Sequence, residues 1–223
     1  KLKDDGQMAI IQNGSSLFNG DAGSGPSEIR RYLIENDWLD AIVQLPGNAF
    51  YNTPIATYIW IVMKNKPVTH QGKVQLIDAS ACASSRRKNI GEKKVDITKA
   101  CRDLIIEAYG AYVNDTYNGV DENNNTIVVK SKVMDAVDLG YNKIVVETPQ
   151  FDEDGNVIMK KKKPVADTSK RDTENVPLAE DILNVRSFRT IHRLGLINPK
   201  QKWDMRFRSQ EHSMNISRLN HQM

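Results

Sequence analysis

Along the first eighty positions the apolar residues fall in short unbroken runs, each closed by turn chemistry. "GQMAIIQ" (6–12) follows "KDDG" and reads as a buried strand, and "WLDAIVQL" (38–45) as a second, stopped by Pro46 and Gly47. "IATYIWIVMKN" (55–65) and "KVQLIDAS" (73–80) are the third and fourth. Between the first two runs, "SEIRRYLIEND" (27–37) puts Ile29, Leu33 and Ile34 on one face with charge opposite, as an amphipathic helix does, and Ser27 is placed to cap its free N–H groups. Runs that are apolar at every position need a sheet covered on both faces, and with a helix between them they predict an α/β class. The nine residues 46–54 are too few for a crossover helix, so the second and third strands are expected antiparallel, at the end of an otherwise parallel sheet.

After residue 80 the character changes. "SSRRKNIGEKK" (84–94) reads as a basic loop, and "DITKACRDLIIEAYGAYV" (96–113) as a helix with Ala100, Leu104, Ala108 and Ala111 on one side. "YNKIVVET" (141–148) predicts a strand and "DEDG" (152–155) a hairpin-like turn, whereas "KKKKPVADTSKRDTENVPLAED" (160–181) is polar, broken by proline, and expected to be mostly loop. His70 stands alone on a loop and is expected to be idle. The pair Gly23-x-Gly25 in the Gly/Ser-rich stretch 13–27 is better explained as the approach to a helix than as a phosphate cradle.

Composition narrows this picture only in places. At 223 residues and 39% apolar content the chain has room for one sizeable core, or a core and an appendage. Its net charge of +3 is uneven: residues 184–223 hold eight Lys or Arg against two acids, a local +6, which leaves −3 for residues 1–183. Overall basicity is therefore no argument for a nucleic-acid partner. Cys82 and Cys101 have neither metal-site spacing nor the count of a disulfide framework, which favours free thiols in a reducing compartment. With no run of eighteen apolar residues and no leader, the cytoplasm is the expected location. A chain that opens on Lys1 and enters a strand almost at once is expected to be a fragment whose preceding sheet elements lie upstream.

The stretch "GSGPSEIRRYLIENDWLDAIVQLPGNAFYNTPIATYIWIVMKNK", together with "GKVQLIDAS", "RRKNIGEKK", "DLGYNKIVVETP" and "RDTENVPLAED", resembles the modification subunit of type I restriction-modification systems, an adenine-specific DNA methyltransferase. The resemblance runs from Gly6 to about Ile182. It implies transfer of a methyl group from S-adenosylmethionine to the exocyclic amine of adenine, on a Rossmann-like sheet whose last strand is antiparallel, followed by a small α+β extension. It implies DNA, a specificity subunit that reads the sequence, and a restriction subunit as partners. The domains expected are the C-terminal part of the catalytic domain in 1–82 and the extension in 83–182. The family's glycine-rich cofactor loop and its Asn-Pro-Pro-aromatic motif have no match here, since the lone Asn198-Pro199 continues into Lys200. No catalytic residue and no metal ligand is therefore assigned, and the chain alone is expected to be inactive. Two alternatives are a non-catalytic interaction module and half of a split enzyme that docks on the missing N-terminal half.

In related amino-methyltransferases an aromatic on the loop before the antiparallel strand stacks on the extruded base. The resemblance puts Phe50 at that position, with Tyr51 as a weaker candidate. Extrusion costs a few kcal/mol, and an aromatic face returns roughly 1–3 kcal/mol per base. The plainer reading of Phe50 is a plug at the sheet edge. Asn52 and Thr53 are expected to support the loop through side-chain to backbone bonds. Ser24, Arg86, Arg87, Lys88, Lys93 and Lys94 are placed to meet DNA phosphates, although Glu92 and Asp96 interrupt the basic cluster and a solvated loop is the plainer reading.

The resemblance stops in the tail. Family members continue past "ENVPLAEDI" with Trp-Ile-Asp and then Val-Gly-Tyr-Glu-Ile-Pro-Phe-Thr-Arg, which the sequence 183–223 lacks. Synonymous codons for Leu194 to Arg208 nevertheless spell Trp-Ile-Asp-Lys-Pro-Lys-Thr-Lys-Val-Gly-Tyr-Glu-Ile-Pro when read from the third base. A shift of reading frame near Leu183 explains this, and the tail 183–223 is expected to be aberrant and poorly ordered.

Overall fold

The computed structural model describes residues 2–161, 163–178 and 202–204. Its centre is a six-stranded mixed sheet built from β1 (Gln7–Asn13), β2 (Leu39–Gln44), β3 (Thr57–Met63), β4 (Lys73–Asp78), β7 (Asp115–Val120) and β8 (Thr126–Asp135), in the spatial order β1-β3-β2-β4-β8-β7. β2 and β3 are antiparallel, as their short connection requires, and β2 and β4 are parallel. β3 is also antiparallel to β1, so the reversed strand lies inside the sheet between β1 and β2 and not at its end. Its apolar residues on both faces suit that interior place. β8 and β7, which follow position 82 in the chain, extend the same sheet antiparallel beyond β4.

Both faces are covered. Leu17 of α1 (Ser15–Phe18) and Ile34 of α2 (Gly25–Glu35) pack on Trp60, Val62, Val74 and Leu76. On the other side Cys101 and Ala108 of α3 (Lys99–Ala111) pack on Val43, Ile77, Ile127 and Val129. Alternate positions of β3 and β4 serve the two faces, as strand pleating dictates. An irregularity in register between Leu39 and Ala41 turns Leu39 and Ile42, three positions apart, to the same face. α2 begins at Gly25 with Ser24 as the residue before it and proline in its first turn, so Ser27 lies inside the helix and does not cap it. α3 is capped by Thr98, whose Oγ1 accepts from the Cys101 amide at 3.3 Å, and ends at Tyr112 in a left-handed conformation. Burial, and then the hydrogen bond to Cys101, push the Cys82 thiol up.

Three sequence expectations give way here. β1 is not buried: Met8 is 40% exposed, Ile10 39% and Ile11 51%, because on its far side no described strand continues the sheet. The basic stretch after residue 83 is not a loop but an antiparallel hairpin of β5 (Ser84–Ile90) and β6 (Lys93–Asp96), tied across by the ion pair of Arg86 with Asp96. The polar stretch after 160 is largely strand: β10 (Met159–Lys160) and β11 (Lys163–Pro164) form a small hairpin, and β12 (Ala166–Pro177) pairs along β9 (Tyr141–Pro149). Pairing with β9 satisfies the backbone groups that the polar side chains of β12 do not predict. Of the tail, β13 (Lys202–Asp204) adds to the other edge of β9, and the rest of 183–223, on which the expectation of disorder falls, lies outside the described residues.

The loop between β3 and β4 is pinned. Lys66 Nζ, with its side chain 1% exposed, bonds Asp37 Oδ1 at 2.7 Å and the Lys73 carbonyl at 2.7 Å, while Asp37 Oδ2 accepts from the Gly72 amide at 2.9 Å. No helix among the described residues is long and apolar enough to cross a membrane.

Candidate nucleic-acid interface

At the carboxyl end of β2 the chain turns through Leu45 to Ala56 before re-entering the sheet as β3. Leu45 is buried and Phe50 half-buried, the first a member of the core cluster that contains Val43, Ile77 and Cys82 and the second packed against that cluster, so the loop is anchored in the core at both points. Phe50 and Thr53 bridge to each other, which leaves Tyr51 and Asn52 at the tip of a tight turn. Tyr51 is 69% exposed, and Asn52 is exposed beside it. Thr53 Oγ1 accepts from the Ile55 amide at 3.4 Å, a local turn bond. Of the two aromatics, then, Phe50 shares its ring with the core and Tyr51 carries its ring in solvent.

The hairpin β5–β6 lies against this turn. The Glu92 amide donates to the Tyr51 carbonyl at 3.0 Å, and the amides of Lys94 and Val95 donate to the Asn48 carbonyl at 2.9 and 3.3 Å. Asn48 Nδ2 returns a bond to the Glu92 carbonyl at 3.0 Å. The structure thus brings together two features that sequence reasoning kept apart, the aromatic loop and the basic segment. Within the hairpin the cations divide. Arg86 and Lys93 both engage Asp96, the latter at 2.9 Å, and the Lys93 ammonium followed by the Arg86 guanidinium holds the Asp96 carboxyl below its usual range. Arg87, Lys88 and Lys94 point into solvent. Among the described residues no carboxylate pairs with these three.

The hairpin is also tied at its root. Asn123 Nδ2 donates to Ser84 Oγ at 2.8 Å, from a turn in which Asp121 Oδ1 accepts the amides of Asn123 and Asn125 at 2.9 and 2.8 Å. Hydrogen bonds from Asn125, and next from Ser84, lower the Asp121 carboxyl to about 2.

Ser24 is placed differently from the basic residues. Its Oγ is shielded from solvent and turned over Gly20, where a Cβ would approach it to 2.3 Å. Gly20 and Gly23 have positive φ and shape the bend before α2.

Sequence reasoning missed Asn48, Gly91 and Glu92, although "NIGEKK" between basic runs carries the glycine of a hairpin turn. It also missed a polar cluster at the opposite end of β2. There the buried Asp40 accepts from Tyr109 Oη at 2.7 Å and binds His70 Nδ1 at 2.9 Å, and the His70 ring stacks on Tyr112 with centroids 3.4 Å apart. His70 is therefore a structural tie and not idle. The signal was a single acid inside the apolar run "WLDAIVQL", which folding leaves buried only if it is hydrogen-bonded. Burial, and then Asp40, push Tyr109 above its ordinary range. Among the described residues no group of His, Cys, Asp and Glu is set to hold a metal ion.

A family model described as N-6 DNA Methylase matches residues 1–151. The chain is 40% identical over 81 residues to the type I restriction enzyme MjaIX methylase subunit of Methanocaldococcus jannaschii, covering 34% of this chain and 14% of that protein. It is 35% identical over 78 residues to the HindI methylase subunit of Haemophilus influenzae, covering 35% of this chain and 17% of that protein. A solved type I methyltransferase subunit from Streptococcus thermophilus is 27% identical, covering 62% of this chain and 25% of its own, with a TM-score of 0.47. The matches thus span less than a fifth of the two curated relatives.

Proposed function

The chain belongs to the N-6 DNA methylase family, and we propose that it serves as the target-base side of a type I modification subunit, one that methylates the exocyclic amine of adenine in DNA. The observation that carries this reading is the turn 50–53: an exposed Tyr51 ring at the tip of a loop seated in the core by Phe50 and flanked by a basic hairpin. A base leaving the duplex needs a hydrophobic face to replace its lost stacking and cations for the neighbouring phosphates. Tyr51 supplies the face in solvent and Phe50 seats it. Arg87, Lys88 and Lys94 supply charge that no carboxylate among the described residues pairs, whereas Arg86 and Lys93 are partly spent on Asp96.

S-adenosylmethionine is the methyl donor this family implies, but the described residues do not fit it. The glycines at 20 and 23 shape the bend between α1 and α2 instead of a strand-to-helix turn. The donor site and the Asn-Pro-Pro-aromatic acceptors belong, in this reading, to polypeptide outside this chain, so the chain alone is inactive. DNA, a specificity subunit and a restriction subunit are the expected partners in a bacterial or archaeal cytoplasm. A small α+β extension from about residue 83, whose β7 and β8 continue the same sheet, and the frame-shifted tail belong to this proposal.

The second reading, half of a split enzyme or an interaction module, is favoured by one feature, the exposed apolar edge strand β1. One experiment addresses both. The chain is co-expressed with an upstream segment carrying the glycine-rich loop and the Asn-Pro-Pro-aromatic motif. S-adenosylmethionine binding and methyl transfer to adenine in duplex DNA are then measured. Joint activity that Tyr51→Ala abolishes supports the first reading and is shared by half of a split enzyme, whereas tight association without transfer supports the interaction module. Failure to associate removes both.

A further inference from the structure

We infer that the hairpin β5–β6 is a strap that sets the aromatic turn, with Gly91 and Asn48 as its positioning residues; this rests on the nucleotide-stacking reading of Tyr51. Four hydrogen bonds cross between strap and loop, and all four involve Asn48 or the Tyr51 carbonyl. Asn48 therefore has its carbonyl and its side chain committed to the strap. Its own amide donates to the Pro54 carbonyl at 3.0 Å, which closes the loop on itself. Asn48 adopts φ +56°, a left-handed conformation that asparagine tolerates better than most residues.

Gly91 makes the contact possible. It also has a positive φ, +56°, and a Cβ built on it would lie 2.5 Å from the Tyr51 carbonyl oxygen, an approach no other residue type permits without moving backbone. The nearest obstacle is main chain and not the end of a flexible side chain, so substitution must push the turn away from the hairpin. The strap is itself fixed at its far end by the Asn123–Ser84 bond, so it transmits position instead of following the loop. Electrostatics and position are thereby separated on one hairpin. Backbone groups at its tip hold the ring, while the exposed Arg87 and Lys88 stand three to four residues back, about 10–13 Å along the strand.

The test uses the full chain and a single-stranded oligonucleotide with 2-aminopurine in place of adenine. Fluorescence quenching reads stacking, and anisotropy over a salt series reads affinity. The wild-type chain should quench at saturation and Tyr51→Ala should not. Gly91→Ala and Asn48→Gly should each remove more than half of the quenching while lowering affinity by less than about threefold. Arg87→Gln and Lys88→Gln should keep full quenching at saturation and each flatten the salt slope by roughly 0.7. Thermal melting accompanies each variant, and Asn48→Gly, which keeps the left-handed turn and removes one side-chain bond, decides the matter if Gly91→Ala does not fold. Quenching by folded Gly91→Ala or Asn48→Gly equal to wild type overturns the strap and leaves the stacking reading standing. Quenching by Tyr51→Ala equal to wild type overturns both.

Discussion

β1 and β2 flank the same strand and are built from similar residues, yet one is solvated and the other is buried at five of its six positions. β1 pairs along its whole length with β3, from Gln7 opposite Met63 to Asn13 opposite Thr57, and still exposes Met8, Ile10 and Ile11. β2 pairs with β3 on one side and β4 on the other, with α2 over one face and α3 over the second, and buries Leu39, Ala41, Ile42 and Val43. Composition set the strand in both cases; neighbours set the burial. A hydrophobic run specifies a demand for cover, and the fold decides whether this chain meets it.

The sharpest way to break the contrast is a matched truncation. Ile42→Ala should cost about 2–5 kcal/mol in urea unfolding, because its cavity cannot collapse between two covered faces, whereas Ile11→Ala should cost under about 1 kcal/mol. Equal losses would show that β1 is covered in solution. Next in size is the buried polar tie between sheet and helix. Gln75 Nε2 donates to the Ala108 carbonyl at 2.7 Å and to Ser131 Oγ at 2.8 Å, so Gln75→Ala should cost roughly 1–3 kcal/mol by stranding both acceptors. No such tie exists for β1 among the described residues, and a neutral Gln75→Ala would leave the enclosure of β4 purely apolar.

Smaller in stability but larger in behaviour is Ile10→Lys with Ile11→Lys. Edge lysines should change unfolding by under about 1 kcal/mol, while sedimentation velocity shows less self-association than wild type and complementation by an upstream half is lost. The smallest effect is confined to acid. Asp121 titrates at about 2 in the folded chain, below the ordinary carboxylate value, so its contribution is fully present above roughly pH 4 and is lost as pH falls through about 2. Amide protection, taken relative to the intrinsic rate at each pH, should then fall first at Asn123 and Asn125 and at the root of the hairpin, with β2 unaffected. Uniform acid loosening would count against that anchoring.

How much of this was legible depends on where the information sits. β2, β3, β4, α2 and α3 were readable because their pattern is local: apolar runs, a helical stripe and short connections. The antiparallel sense of β3 followed from loop length alone, but its position between β1 and β2 did not, since strand order is a property of pairing. β8 alternates Ile127, Val129 and Ser131 inward, a period that the polar "DENNN" before it obscured. β12 was unreadable for a stronger reason: its residues are polar, and pairing with β9 makes it a strand. At the candidate site the aromatics and cations were visible one by one, yet their joining runs through main-chain bonds of Asn48, Tyr51, Glu92 and Lys94, which leave little trace in residue identity.

The enclosure of Lys66 gives the molecule a natural clock. Amine-reactive labels should modify the exposed lysines within the first exposure and leave this one blank, since its nitrogen is held by Asp37 and a carbonyl under the loop that follows β3. The rate at which mass appears there would then time the opening of that loop, independent of any ligand.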